Sequence, residues 1–243
     1  MRSEEFISTL LHKIQNGFPT LKNELPLGVK EDGSILRAHE RADERPYGVN
    51  HTCVTGNGAT AYIQCLITVL STLYKKGEAQ FLILSPKTDY AQLLSLQNAD
   101  ITLPYIRSIE DIKTAKEVYA RLLEVSKTNQ NAPKLFLVLD GLEDLDGGAS
   151  GDLSLYREFL ELSVKTNAEV ITGANLIRSI FSGFPGAFVG VGNCLLTTDK
   201  KAQADATFVC PDSSMALPVP VAIPSEPSVS ETVLFVNAFR THN

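Results

Sequence analysis

Cys53-Val54-Thr55-Gly56-Asn57-Gly58-Ala59-Thr60 is the stretch on which the reading of the chain turns. It lies just before an apolar helical pattern, Ala61 to Tyr74, where a strand is expected to give way to a helix. Its spacing is that of a phosphate-cradling loop, G-x-x-x-x-G-K-[ST]. Gly58 stands for the second glycine and Thr60 for the hydroxyl residue, but Cys53 replaces the first glycine and Ala59 the lysine. The geometry is kept while the charge is gone.

Backbone N–H groups and a helix start can hold a phosphate with glycines alone. The lysine adds positive charge at the β- and γ-phosphates, where charge builds during transfer. Losing one charge-assisted contact to a buried anion costs roughly 2–5 kcal/mol. Weak nucleotide binding survives such a loss; efficient hydrolysis does not. Gly56, Asn57, Gly58, Ala59 and Thr60 are therefore candidate phosphate contacts. A plainer alternative is equally open at this point. Gly56-Asn57-Gly58 then forms a tight turn requiring positive φ, and Thr60 caps a helix beginning at Ala61.

A second acidic position follows downstream. Lys134-Leu135-Phe136-Leu137-Val138-Leu139-Asp140 is the strongest strand signal in the chain, five apolar residues closing on an acid. In nucleotide sites an Asp so placed holds Mg²⁺, which makes Asp140 the sixth candidate; its alternative role is to cap a loop or helix. Gly141 comes next, and Glu143 and Asp144 lie a turn further on. Gln80 to Leu84 is a near-continuous apolar strand ending in Ser85-Pro86-Lys87. Strands at Leu25–Val29, Tyr47–Val54, Ile101–Ile106 and Glu169–Gly173 alternate with helices at Tyr90–Gln97, Ser108–Val125 and Asp152–Thr166. Ala187 to Gly192 follows a glycine-rich turn, 211–227 is rich in proline and serine, and Thr232–Phe239 is read as a last strand. This alternation predicts an α/β fold, a mostly parallel sheet with helices on both faces. Residues 1–24 are expected to hold a leading helix, Glu4 to Gln15 with an apolar stripe from Phe6 to Ile14, and its lead-in, and 25–243 the main domain.

Composition narrows the function. The 243 residues carry a net charge of −6, contain no Trp, and show no basic cluster of the kind a nucleic-acid motor carries. The three arginines between Leu36 and Arg45 are offset by Glu40, Asp43 and Glu44. Cys53, Cys65, Cys194 and Cys210 lack C-x-x-C spacing and read as buried thiols in a reducing compartment, and the four histidines have no metal-ligand spacing. No apolar run reaches the roughly 20 residues of a membrane span.

In this order the parts resemble the ATPase domains of the FtsK/SpoIIIE family. Leu25-Pro26-Leu27-Gly28 with Asp32-Gly33 resembles the family's leading hairpin, and His51 to Tyr74 its loop and helix. Leu82 to Lys87 is similar to its second strand ending in Asp-Pro-Lys, and Leu137 to Leu145 to its Asp-Glu strand. Glu169 to Asn175 sits where the family has a polar sensor strand. The resemblance implies a RecA-like P-loop fold from about Leu25 to Phe208. The departures fall on chemical positions: Ala59 for Lys, Gly141 for Glu, Ser85 for Asp. That pattern is similar to the degenerate C-terminal domain of the EssC-type coupling proteins of type VII secretion.

The resemblance implies a module with no catalytic residue, no metal and no required cofactor, at most weak ATP/Mg binding, acting in regulation or on a protein substrate. Its implied partners are other ATPase domains of the same machine and a secreted protein or its signal helix, with no direct membrane contact and no DNA. The expected place is the cytoplasm, or the membrane surface through a longer parent chain. Two other readings are kept. One is an active ATP-driven translocase of DNA or protein that recruits a lysine from elsewhere, for which Lys87 is the nominee. The other is a weak nucleotide sensor in which Gly56, Gly58 and Thr60 still hold phosphate.

Overall fold

A computed structural model describes residues 8, 12, 25–29, 35–37, 50–56, 58–97, 99–129, 131–146, 154–174, 187–191, 206–209 and 219–221. The strands are β1 (Pro26–Val29), β2 (Ile35–Arg37), β3 (Asn50–Gly56), β4 (Ala79–Leu84), β5 (Asp100–Thr102), β6 (Lys134–Asp140), β7 (Glu169–Gly173), β8 (Ala187–Val191), β9 (Ala206–Val209) and β10 (Val219–Val221). The α-helices are α1 (Ala59–Leu73), α2 (Ile109–Thr128) and α3 (Ser154–Ser163), with short 3-10 segments at Thr88–Ser95 and Leu142–Asp146.

β1 and β2 form an antiparallel hairpin, and the other eight strands form one sheet in the order β10-β9-β8-β3-β7-β6-β4-β5. From β5 to β8 every neighbouring pair is parallel, while β9 and β10 add antiparallel partners beyond β8. The α/β prediction with a mostly parallel sheet therefore holds. Chain order reverses at β3. From it the chain passes to β4 on one side, and later from β7 across it to β8 on the other. In open α/β sheets ligands bind outside the carboxyl ends of the strands at such a reversal.

The central strands are apolar on both faces because both are covered. Phe81, Ile83, Phe136, Val138 and Ile171 face α1 and the Thr88–Ser95 segment. Leu82, Leu84, Leu135, Leu137, Leu139 and Val170 face α2 and α3. The period of two in each strand thus feeds two cores at once. With no Trp in the chain, the first core is centred on Phe81 stacked on Phe136 at 4.8 Å, with Tyr74 edge-on to Phe136 at 5.6 Å. Leu25 and Leu27 are buried in the same core, and Tyr62 of α1 donates its hydroxyl to the Leu27 carbonyl at 2.7 Å, which docks the hairpin. On the other face Tyr119 and Ser163 join α2 to α3 by hydroxyls 2.7 Å apart.

Several expectations shift. β3 runs from Asn50 to Gly56 rather than from Tyr47 to Val54, and β5 is three residues instead of six. The strand signal at Lys134–Asp140 and that at Glu169–Gly173 are reproduced residue for residue. Helix α2 buries Ile112, Ala115, Tyr119 and Leu123, while Ile109 and Val118 of the same helix are exposed. β10 lies inside the proline- and serine-rich stretch that carried no strand expectation; Val219 and Val221 frame Pro220 there, in the outermost strand among those described. Apart from helical conformation at Ser8 and His12, the leading helix lies outside the described residues, as does the last strand at Thr232–Phe239. Among the described residues no helix is long and apolar enough to cross a membrane.

Candidate functional site

The loop between β3 and α1 uses its glycines for backbone shape. Gly56 has φ 102° and Gly58 φ 97°, values that β-carbon-bearing residues rarely adopt. Gly58 is the N-cap of α1, and its carbonyl accepts the Tyr62 N–H at 2.9 Å. Thr60 is therefore not the cap. It sits in the first helical turn, and its hydroxyl points across the strand ends, donating to Asp140 Oδ2 at 2.8 Å. Asn57 lies outside the described residues.

Asp140 closes β6 and is 2% exposed. Among the described residues no backbone N–H donates to its carboxylate, so there it caps neither a helix nor a loop. Besides Thr60 it accepts from Lys87 Nζ at 3.2 Å on each of its oxygens, and from the Tyr90 hydroxyl at 2.9 Å. Lys87 Nζ also donates to Thr60 Oγ1 at 2.9 Å. A buried carboxylate is tolerated only when paired and hydrogen-bonded, and among the described residues each of its partners is a side chain brought from another element. Burial first, and the adjacent Asp140 carboxylate second, push the Tyr90 phenol well above its ordinary range, so it serves as a neutral donor.

Lys87 reaches the site because β4 ends beside β6 and the chain turns there at Ser85-Pro86. The Lys87 backbone N–H donates to Ser85 Oγ at 3.2 Å, and the residue itself is extended, leading into the Thr88–Ser95 segment that brings Tyr90. Gly141 leaves room for the lysine stem. At φ 71°, a β-carbon there would lie 2.7 Å from Lys87 Cε and 3.1 Å from Nζ. Gly173 does the same for the carboxylate, since a β-carbon on it would overlap Asp140.

Glu143, the nearest downstream acid, is held by the Tyr156 hydroxyl, which also accepts the Leu142 N–H at 2.9 Å. Burial, then the Glu143 charge, drive the Tyr156 phenol far up. Asp144 closes a turn by donating its N–H to the Gly141 carbonyl at 3.1 Å.

Of the sequence candidates, Thr60 and Asp140 are in direct contact, Gly56 and Gly58 shape the backbone, and Ala59 brings no charge. Lys87, nominated only for an active enzyme, stands at the centre, and Tyr90 was not singled out at all. The Lys87-Thr88-Asp89-Tyr90 run just past an apolar strand was the available signal for both.

In P-loop ATPases Mg²⁺ is held by the loop Ser or Thr and by the Asp ending the second strand. The residues present do not fit that cation. The Thr60 hydroxyl and both Asp140 oxygens are engaged by one ammonium, and Asp140 Oδ2 already takes two further donors.

No protein-family model matches the sequence, and no curated protein matches it. Solved structures do match the fold. The cytoplasmic domain of the Thermomonospora curvata type VII secretion ATPase EccC superposes with a TM-score of 0.56 at 12% identity, over 88% of this chain and 31% of that one. EssC (ATPases 2 and 3) from Geobacillus thermodenitrificans matches with a TM-score of 0.51 at 14% identity, over 90% of this chain and 50% of that one. Thermomonospora curvata EccC (ATPases 2 and 3) in complex with a signal sequence peptide gives 0.52 at 14% identity, over 84% and 41%. The chain thus spans between about a third and a half of the structures it matches. At these identities the likeness establishes architecture: the chain has the RecA-like P-loop fold seen in type VII secretion ATPase domains.

Proposed function

We propose that the chain is a catalytically degenerate ATPase-like module of a translocation or type VII secretion machine, with a role in regulation or in contact with a protein substrate. One arrangement carries this reading: the Lys87 ammonium is bonded to both Thr60 and Asp140, the pair that would otherwise address metal and phosphate. Ala59 and Gly141 add to it, since neither has a side-chain group to offer a triphosphate or an attacking water. Glu143 supplies no substitute, because Tyr156 holds it. Nucleotide is then no required cofactor, and any ATP binding is weak. Other ATPase domains of the same machine and a secreted protein or its signal helix are the proposed partners. In support, the matched EssC and EccC structures comprise ATPases 2 and 3, one with a signal sequence peptide. The net charge of −6 argues against a DNA partner, and a cytoplasmic setting suits the role.

The test is calorimetric titration of Mg-ATP with parallel measurement of phosphate release. Affinity no tighter than about millimolar, roughly 4 kcal/mol, and no release above background are expected. Micromolar binding or steady turnover overturns the reading. A second reading, an active translocase, draws on the same lysine, which stands close enough to the loop to serve in place of the residue missing at Ala59. It requires turnover that Lys87→Ala abolishes.

A further inference from the structure

We propose that the Lys87 ammonium is a built-in replacement for a divalent cation, and that the Thr60–Asp140 pair behind it is a latent metal site that the lysine keeps closed. The inference rests on the degenerate-site reading above and adds what closes the site and what would reopen it.

Three oxygens converge on one nitrogen. Thr60 Oγ1 is 2.9 Å from Lys87 Nζ, and Asp140 Oδ1 and Oδ2 are each 3.2 Å away. They come from two elements, α1 and the end of β6, and the ammonium from a third, just past β4. A hard cation such as Mg²⁺ or Mn²⁺ selects this donor set, a hydroxyl and a carboxylate with water completing the shell. The ammonium supplies one positive charge and directional N–H donors to the same oxygens, without needing that shell.

The closing lysine and the glycine after Asp140 belong to one arrangement. A β-carbon at position 141 would lie 2.7 Å from Lys87 Cε, so a side chain there and the lysine stem in its present position compete for the same space and one of them must shift. The space that a side chain at position 141 would take is the space that the lysine stem uses here. Ser85 and Tyr90 complete the device, the first by receiving the Lys87 N–H and the second by donating its hydroxyl to Asp140 Oδ2. The lysine side chain is 32% exposed on a flexible stem, so its removal uncovers the pair to solvent instead of leaving a sealed void.

The experiment is a titration of the whole chain with Mn²⁺ alone, read from the electron paramagnetic resonance signal of free Mn²⁺. The native chain is expected to show no saturable site below the millimolar range. Lys87→Ala is expected to bind one Mn²⁺ at least about tenfold more tightly, equivalent to 1.4 kcal/mol, and Lys87→Ala with Asp140→Asn to lose it. Should the alanine variant fail to fold, Lys87→Gln keeps the stem without the charge and takes its place. A folded Lys87 variant that binds Mn²⁺ no better than the native chain overturns the inference, as does equally tight binding by the native chain. Magnesium-dependent ATP turnover by the native chain overturns this inference and the degenerate reading together. An inert native chain whose Lys87 variants ignore Mn²⁺ overturns this inference alone.

Discussion

At the scale of single residues the site is a balance of one buried negative charge against one half-buried positive one. Removing a partner from a fully buried ion pair costs about 3–5 kcal/mol, because the remaining charge is left without compensation. Lys87 is partly exposed, so water relieves some of that cost. Lys87→Ala is therefore expected to destabilise the chain by about 2 kcal/mol, read as a lower urea midpoint with unchanged slope. Gly141→Ala meets two obstacles, a positive φ and contact with the lysine stem. The backbone part alone is about 1–2 kcal/mol. The contact part disappears when the stem is gone. The double variant Lys87→Ala/Gly141→Ala is thus expected to lose less than the sum of the two single losses, by about 1 kcal/mol in a double-mutant cycle. Additive losses would show that the two positions do not share space. The residue types here were legible beforehand, and their partnership was not. A lysine after a proline turn is ordinarily solvated, and only the position of β4 beside β6 turns this one inward.

At the scale of elements, α2 shows how local chemistry sets a boundary. Ser108 accepts the Asp111 N–H, while Asp111 Oδ2 accepts the N–H groups of Arg107 and Ser108 at 2.8 and 3.0 Å, a capping box closed from both sides. Ser108→Ala is expected to cost about 1 kcal/mol by urea unfolding. Donation from the Arg107 backbone, then from the Ser108 hydroxyl, holds the Asp111 carboxyl below its ordinary value of 3.8. The sign follows from linkage. A group with a depressed folded value stabilises above its unfolded value, and that contribution is lost as pH falls through the folded one. Asp111→Asn should therefore lower the unfolding midpoint at pH 7 and make progressively less difference as the pH drops below 3.8. An undiminished difference in acid would mean that the cap does not depend on the charge. β6 is the complementary case. Its five consecutive apolar residues say that both faces are covered, and they are, by alternating side chains.

At the scale of the whole molecule, stability rests on two aliphatic and aromatic cores separated by one sheet. Phe136 belongs to the first core and touches Phe81 and Tyr74 there. Phe136→Ala is expected to lower stability by about 3–5 kcal/mol in equilibrium unfolding. A loss below 1 kcal/mol would mean that the core collapses around the gap. The closed site also makes a global statement. Thermal unfolding of the native chain should not move on addition of millimolar MgCl₂, since a ligand stabilises only what it binds.

What the sequence determined alone are the properties set by neighbours along the chain. The alternation of apolar strands and amphipathic helices, the positive-φ glycines before α1, the capped start of α2 and the missing lysine at Ala59 are all local. Local chemistry decides each of them before any long-range contact forms. Tertiary structure decided what depends on which strand ends lie side by side. Thr60, Lys87 and Asp140 are separated by 27 and 53 residues and become one site only because β3, β4 and β6 end on the same edge of a sheet whose order differs from chain order. No periodicity encodes the direction in which a lysine stem turns. That direction is set by the buried carboxylate it meets there and by the glycine that lets it pass.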